Sequence, residues 1–102
     1  MIYHNIGIDY QGLGQHDRAL EYLEESLNIR KRCLTSKDPN IARTLASIGR
    51  VYVDQNNLST ALIYFQQASD IFREAFGDTS HPCIVQTEEE IRHIKSQSMP
   101  SV

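Results

Sequence analysis

Ile6, Gly7 and Tyr10 return as Ile48, Gly49 and Tyr52, 42 residues later. At the same displacement Ala19, Leu20 and Tyr22 return as Ala61, Leu62 and Tyr64, and Ile29 returns as Ile71. Leu23 and Leu34 return as the larger Phe65 and Phe76. The connecting segments repeat too, with one residue inserted: Lys37-Asp38-Pro39-Asn40-Ile41-Ala42 against Ser80-His81-Pro82-Cys83-Ile84-Val85. A fixed period of this size marks a repeat array, in which each unit buries its apolar face only against its neighbours.

Within each unit the apolar residues fall at helical spacing. Tyr3, Ile6, Gly7, Tyr10 and Leu13 mark a first helix, and Ala19, Leu20, Leu23, Leu27 and Leu34 a second. Ile41, Leu45, Ile48, Gly49 and Tyr52 mark a third, and Ala61, Leu62, Phe65, Ala68, Phe72 and Phe76 a fourth. Ile84, Thr87, Ile91 and Ile94 mark a fifth. The spacing predicts helices over 2–13, 17–33, 40–55, 59–76 and 82–96, and no segment alternates with period two, so no strand is expected. Pro39 and Pro82 follow polar residues and suit the first position of a helix, where the missing N–H would be unpaired anyway. Gly77 reads as a helix stop, and Gly12 and Gly14 punctuate a turn. The polar end of the chain carries Pro100, and 97–102 is expected to be a disordered tail.

Gly7 and Gly49 sit mid-helix, where Gly costs about 1 kcal/mol against Ala. Close approach of a second helix would offset that cost. Ala19 and Ala61 supply the matching small residue, and Tyr10 and Tyr52 fill the space beyond it. The result is an antiparallel helix hairpin, stacked twice.

These positions resemble the tetratricopeptide repeat, in the 42-residue variety seen in kinesin light chains. Repeat one carries the signature as Ile6, Gly7, Tyr10, Ala19, Leu23 and Ser26. Repeat two carries it as Leu45, Ile48, Gly49, Tyr52, Ala61, Phe65 and Ala68. The family's linker is matched by Asp38-Pro39-Asn40-Ile41 and His81-Pro82-Cys83-Ile84. The resemblance implies an all-α fold: antiparallel hairpins stacked as a right-handed solenoid over 1–95. Repeat one is placed at 1–36, repeat two at 40–77 and a closing cap helix at 82–96. At the small-residue position of the third unit stands Arg92, and at its Tyr position Lys95, charges that would block a further packed helix. Glu88 is placed to face Arg92 at i,i+4, which suits a solvated helix. Two repeats and a cap read as the end of a longer array, whose open N-terminal edge is expected to be apolar and able to self-associate.

Several chemistries are excluded or disfavoured. The 102 residues suffice for one small domain. The longest apolar run, Ala61 to Phe65, is far short of the about 20 residues of a membrane span. A net charge of −3 argues against nucleic acid, whose binders carry basic stripes. Cys33 and Cys83, 50 residues apart, read as small buried hydrophobes in a reducing compartment rather than a disulfide framework. No secretory leader is visible, so a cytoplasmic location is expected, and Asn57-Leu58-Ser59 reads as a chance sequon. Gly12-Leu13-Gly14 lacks the preceding strand and the Lys-Ser/Thr of a phosphate loop. His4, His16, His81 and His93 share no metal spacing, and no nucleophile motif surrounds any Ser, so no cofactor, metal or catalytic residue is expected. Arg30-Lys31-Arg32 at a helix end reads as dipole complement and solvated surface.

The concave groove remains. In the family the first helix of each repeat lines it, and a ligand peptide lies along it. By the matched register repeat one presents His4, Asn5 and Ile8. Repeat two presents Arg43, Ser47, Arg50, Val53 and Asp54, and the cap presents Glu89 and His93. Arg43 and Arg50 are two helical turns apart and point the same way, an arrangement suited to carboxylates. The paired Asn of kinesin light chains has one counterpart here, Asn5; repeat two has Ala46-Ser47. The expected function is a protein–protein interaction scaffold or adaptor whose partner is a protein or peptide, with acidic ligands favoured. No nucleic acid and no membrane is expected. The alternatives are solvated arginines on a purely structural array segment, and accessory repeats of an enzyme with an upstream catalytic domain.

Overall fold

The computed structural model describes residues 2–33, 35, 37–77 and 80–98, which form five helices and no strand. They are α1 (Ile2–Gly12), α2 (His16–Cys33), α3 (Pro39–Asp54), α4 (Leu58–Phe76) and α5 (Pro82–Ser98). Every helix expected from the spacing is present, with ends shifted by one or two residues. α5 takes in Gln97 and Ser98, which the sequence assigns to the tail. The expected starting residue Met1, the core position Leu34 and tail residues 99–102 lie outside the described residues.

The helix ends follow from local chemistry. Asp38 caps α3, its carboxylate accepting from the Asn40 N–H at 2.9 Å, with Pro39 at the first turn. His81 does the same for α5: its Nδ1 accepts from the Cys83 N–H at 3.2 Å, and its ring stacks on Phe76 at 3.7 Å. Gly77 ends α4 in the left-handed region, at φ 65°. The two hairpin turns share one hydrogen-bond pattern. Gln15 N–H donates to Tyr10 O at 2.9 Å, and 42 residues on Asn57 N–H donates to Tyr52 O at 2.8 Å. The left-handed residue in each is Gly14 (φ 76°) and Asn56 (φ 62°), residue types that tolerate that region. Leu13 is the tip of the first turn and is 71% exposed, so it is not the core position its spacing suggested.

Successive helices pack on one another, α1 on α2 through α4 on α5, and α1 also touches α3. α3 lies at the centre and buries Ile41, Ala42, Leu45, Ile48 and Val51 against Leu23 and Leu27 of α2 and Phe65, Ala68 and Phe72 of α4. The repeat is visible in its aromatic pairs. Tyr10 stacks on Tyr22 at 5.5 Å between centroids, and Tyr52 on Tyr64 at 5.6 Å.

The mid-helix glycines answer to larger partners than the small-on-small reading supposed. A Cβ on Gly7 would stand 2.6 Å from Leu23 Cγ and 3.3 Å from the Ala19 carbonyl. One on Gly49 would meet three ring carbons of Phe65 at 3.1–3.2 Å, so Phe65 rather than Ala61 supplies the atoms nearest Gly49. The absent side chain makes room for a Leu or Phe side chain from the second helix of the hairpin.

Three further expectations are corrected. Arg30 is buried, with 9% exposure, and its Nη1 donates to the Asn40 carbonyl at 2.7 Å, tying α2 to α3; its counterpart 42 residues on is the buried Phe72. Cys33 is exposed, as is its counterpart Ala75, and Cys83 is half-buried. Glu88 pairs with Arg73 of α4 rather than with Arg92, because α4 packs directly against that face of α5. Glu88 takes the place that Leu45 holds in repeat two, so this end of the fold is closed by an ion pair where the middle is apolar.

Candidate functional site

α1, α3 and α5 are the first helices of successive units, and together with Phe72 of α4 they wall a concavity of about 290 Å³. His4 and Ile8 come from α1, Arg43, Ala46, Ser47 and Arg50 from α3, and Cys83, Gln86 and Thr87 from α5. Five of the ten residues expected at the groove therefore meet in one hollow: His4, Ile8, Arg43, Ser47 and Arg50. Gln86 and Ala46 have the same register positions and join them.

The other five stand elsewhere. Asn5, Glu89 and His93 are exposed on α1 and α5 outside the hollow, and Gln97 donates to His93 Nε2 at 2.9 Å. Val53 is half-buried against the core. Asp54 accepts from Gln11 Nε2 at 3.2 Å and ties α3 to α1 near the hairpin turns.

A polar junction organises the wall. Asn40 is its hub. The Asn40 carbonyl accepts from Arg30 at 2.7 Å and from the Thr44 hydroxyl at 3.1 Å, and the Asn40 side-chain Oδ1 accepts from Arg43 Nη1 at 2.9 Å. Because Thr44 gives its proton to Asn40, the network assigns His4 Nδ1 as the donor to Thr44 Oγ1, at 3.2 Å. Ser47 lies 3.5 Å from His4 Nε2 and donates to the Arg43 carbonyl at 3.0 Å. On the far side, Arg50 Nε donates to Glu90 Oε1 of α5 at 3.4 Å.

Sequence reasoning missed Asn40, Phe72, Cys83, Thr87 and Glu90. For Glu90 a signal existed, since it is the counterpart of Ser47 in the third unit, 43 residues on. For Asn40 there was none, because its role depends on where Arg30 and Arg43 reach.

Burial holds the His4 imidazole below its ordinary pKa, and the Arg30 and Arg43 charges add to that. The folded chain thus favours neutral His4, while the unfolded chain takes up its proton near pH 6.5. Stability from this site is present above that pH and is lost as pH falls through the lowered folded value. Melting at pH 7.5 and 5.5 should show a lower Tm at the acid end, and His4→Gln should shrink the difference. An unchanged difference in His4→Gln would show that the acid loss of stability does not come from His4.

A larger cleft of about 510 Å³ opens on the opposite face of α3, between Lys31 of α2, Ile41 and Leu45 of α3, and Gln67, Asp70 and Ile71 of α4. Its floor is apolar and its rim carries one charge of each sign, so it lacks the like-charged pair of the concave hollow. Among the described residues no three His, Cys, Asp or Glu side chains are grouped to hold a metal ion. No helix among them is long and apolar enough to cross a membrane.

The sequence model of the family described as Tetratricopeptide repeat matches residues 1–74, from α1 into the last turn of α4. No curated protein matches the chain.

Proposed function

The chain belongs to the tetratricopeptide repeat family, and from that premise we propose that it is a non-catalytic adaptor holding a peptide of a partner protein against its concave face. Repeats of this family generally mediate protein–protein interaction. The observation that carries the finer reading is that Arg43 and Arg50 wall a single hollow together with the apolar Ile8. Guanidinium groups on one face suit carboxylates, so the favoured partner segment is acidic. Asn5, Val53, Asp54, Glu89 and His93 then flank the ligand rather than form the hollow. Residues 1–95 make one domain of two repeats and a closing helix, wound as a right-handed solenoid. The 42-residue period supports the kinesin-light-chain-like variety, and the two free cysteines a cytoplasmic setting.

Such a site offers little area and should bind in the micromolar range, roughly, and more weakly as salt rises, because its charges are exposed. Fluorescence anisotropy with a labelled peptide rich in Glu and Leu is the test. Arg43→Ala with Arg50→Ala should abolish binding while moving the Tm little. Equal affinity in wild type and double variant would return these arginines to ordinary solvated surface.

A second reading has its own observation. Tyr3 is 41% exposed, whereas Leu45, its counterpart in repeat two, is 3% exposed because α2 covers it. Ile2 beside it is open as well, at 73%. This edge has the chemistry for self-association or for a further repeat, a structural role compatible with the first reading.

A further inference from the structure

The concave face carries its charges in order. α3 presents Arg43 and Arg50, while α5 presents Glu89 and Glu90 at the register positions that on α3 are Ala46 and Ser47. Glu90 reaches across to Arg50, whose Nε donates to it at 3.4 Å. The two side chains are 39% and 31% exposed, so the pair borders the open hollow. Arg43 is engaged differently, by the neutral Oδ1 of Asn40. The two arginines are therefore unequal toward an anion. A ligand carboxylate over Arg50 also meets the Glu90 charge, and the attraction and repulsion act at similar range. Among the described residues no carboxylate forms an ion pair with Arg43, so a ligand carboxylate there does not compete with one. Conversely, a ligand cation beside Glu89 and Glu90 finds anions there and lies away from Arg43.

We propose that the concave face selects a peptide of mixed charge, with an acidic side chain over Arg43 and a basic one over Glu89 and Glu90, and that Glu90 fixes the direction in which the peptide lies. This rests on the reading of the concave face as a peptide site. Glu90 meets Arg50, and Arg43 stands two turns, about 10 Å, from Arg50 along α3; an extended chain advances about 3.3 Å per residue, so the two ligand charges belong about three residues apart.

The experiment uses the full chain and three labelled peptides of matched apolar content: one with Glu alone, one with Glu three residues before Lys, and one with that order reversed. One of the two mixed peptides should bind at least about fivefold tighter than the other and than the Glu-only peptide. In Glu89→Gln with Glu90→Gln, the Glu-only peptide should gain about threefold or more and the order preference should collapse, with far-UV circular dichroism unchanged. Arg43→Ala should weaken all three. If the Glu-only peptide binds in an Arg43-dependent way but the mixed peptides bind no better and the double glutamine variant changes nothing, the ordered-charge proposal is overturned and the acidic-peptide reading stands. If no peptide binds wild type more tightly than Arg43→Ala with Arg50→Ala, both fall.

Discussion

Phe65→Ala should destabilise the chain by about 3–5 kcal/mol, the range for deleting a buried aromatic ring. Phe65 is 1% exposed on α4, and its ring lies against Gly49 of α3, whose hydrogen leaves room for it. Removing the ring empties the contact that locks the second hairpin, and Gly49 has no side chain with which to fill the hole. A small domain has only about 5–15 kcal/mol of net stability, so the variant should be largely unfolded at moderate urea concentrations that leave wild type folded. Urea titration followed by circular dichroism checks this. A loss below about 1 kcal/mol would mean that Phe65 does not pack on Gly49.

The second large effect is expected at Gly7. Replacing a helical Gly with Ala normally gains about 1 kcal/mol. Here the first added carbon would stand 2.6 Å from Leu23 Cγ, well inside van der Waals contact, and Leu23 is itself fully buried. Gly7→Val adds two further methyl groups at the same place and should cost about 3 kcal/mol, the upper end of ordinary overpacking. The comparison with Gly12 sharpens the test. Nothing lies within 4 Å of a Cβ built at Gly12, the last residue of α1, so Gly12→Ala should be neutral or stabilising by up to about 1 kcal/mol. A melt in which Gly7→Val matches wild type would show that α1 and α2 do not approach as described.

How much of this was legible beforehand depends on the kind of interaction. The 42-residue register found the helices, both glycines and the tyrosines that stack in each hairpin, because these are features of a repeated backbone arrangement. It also placed Arg43, Ser47 and Arg50 on one face. Ala19 does approach Gly7 through its carbonyl, but Leu23 and Phe65 come closer to the two glycines, because matching small with small ignores the direction of those side chains. Arg30, in a basic cluster at a helix end, reads as a solvated complement to the dipole, although its counterpart Phe72 is a core residue and points to a buried position. Spacing along one helix pairs Glu88 with Arg92; its partner Arg73 comes from another helix, a choice that spacing cannot reveal. The same holds for Glu90 and Arg50, where the long side chains of α3 and α5 meet across the groove.

A peptide ligand should lie on the face shared by α1, α3 and α5. Titrating the isotopically labelled chain with a Glu- and Leu-rich peptide, and following backbone amide shifts by NMR, tests it residue by residue. The largest shifts are expected at His4, Ile8, Arg43, Ser47, Arg50 and Gln86, which wall the concave hollow. Shifts concentrated instead at Lys31, Gln67, Asp70 and Ile71, around the cleft on the opposite face, would contradict it.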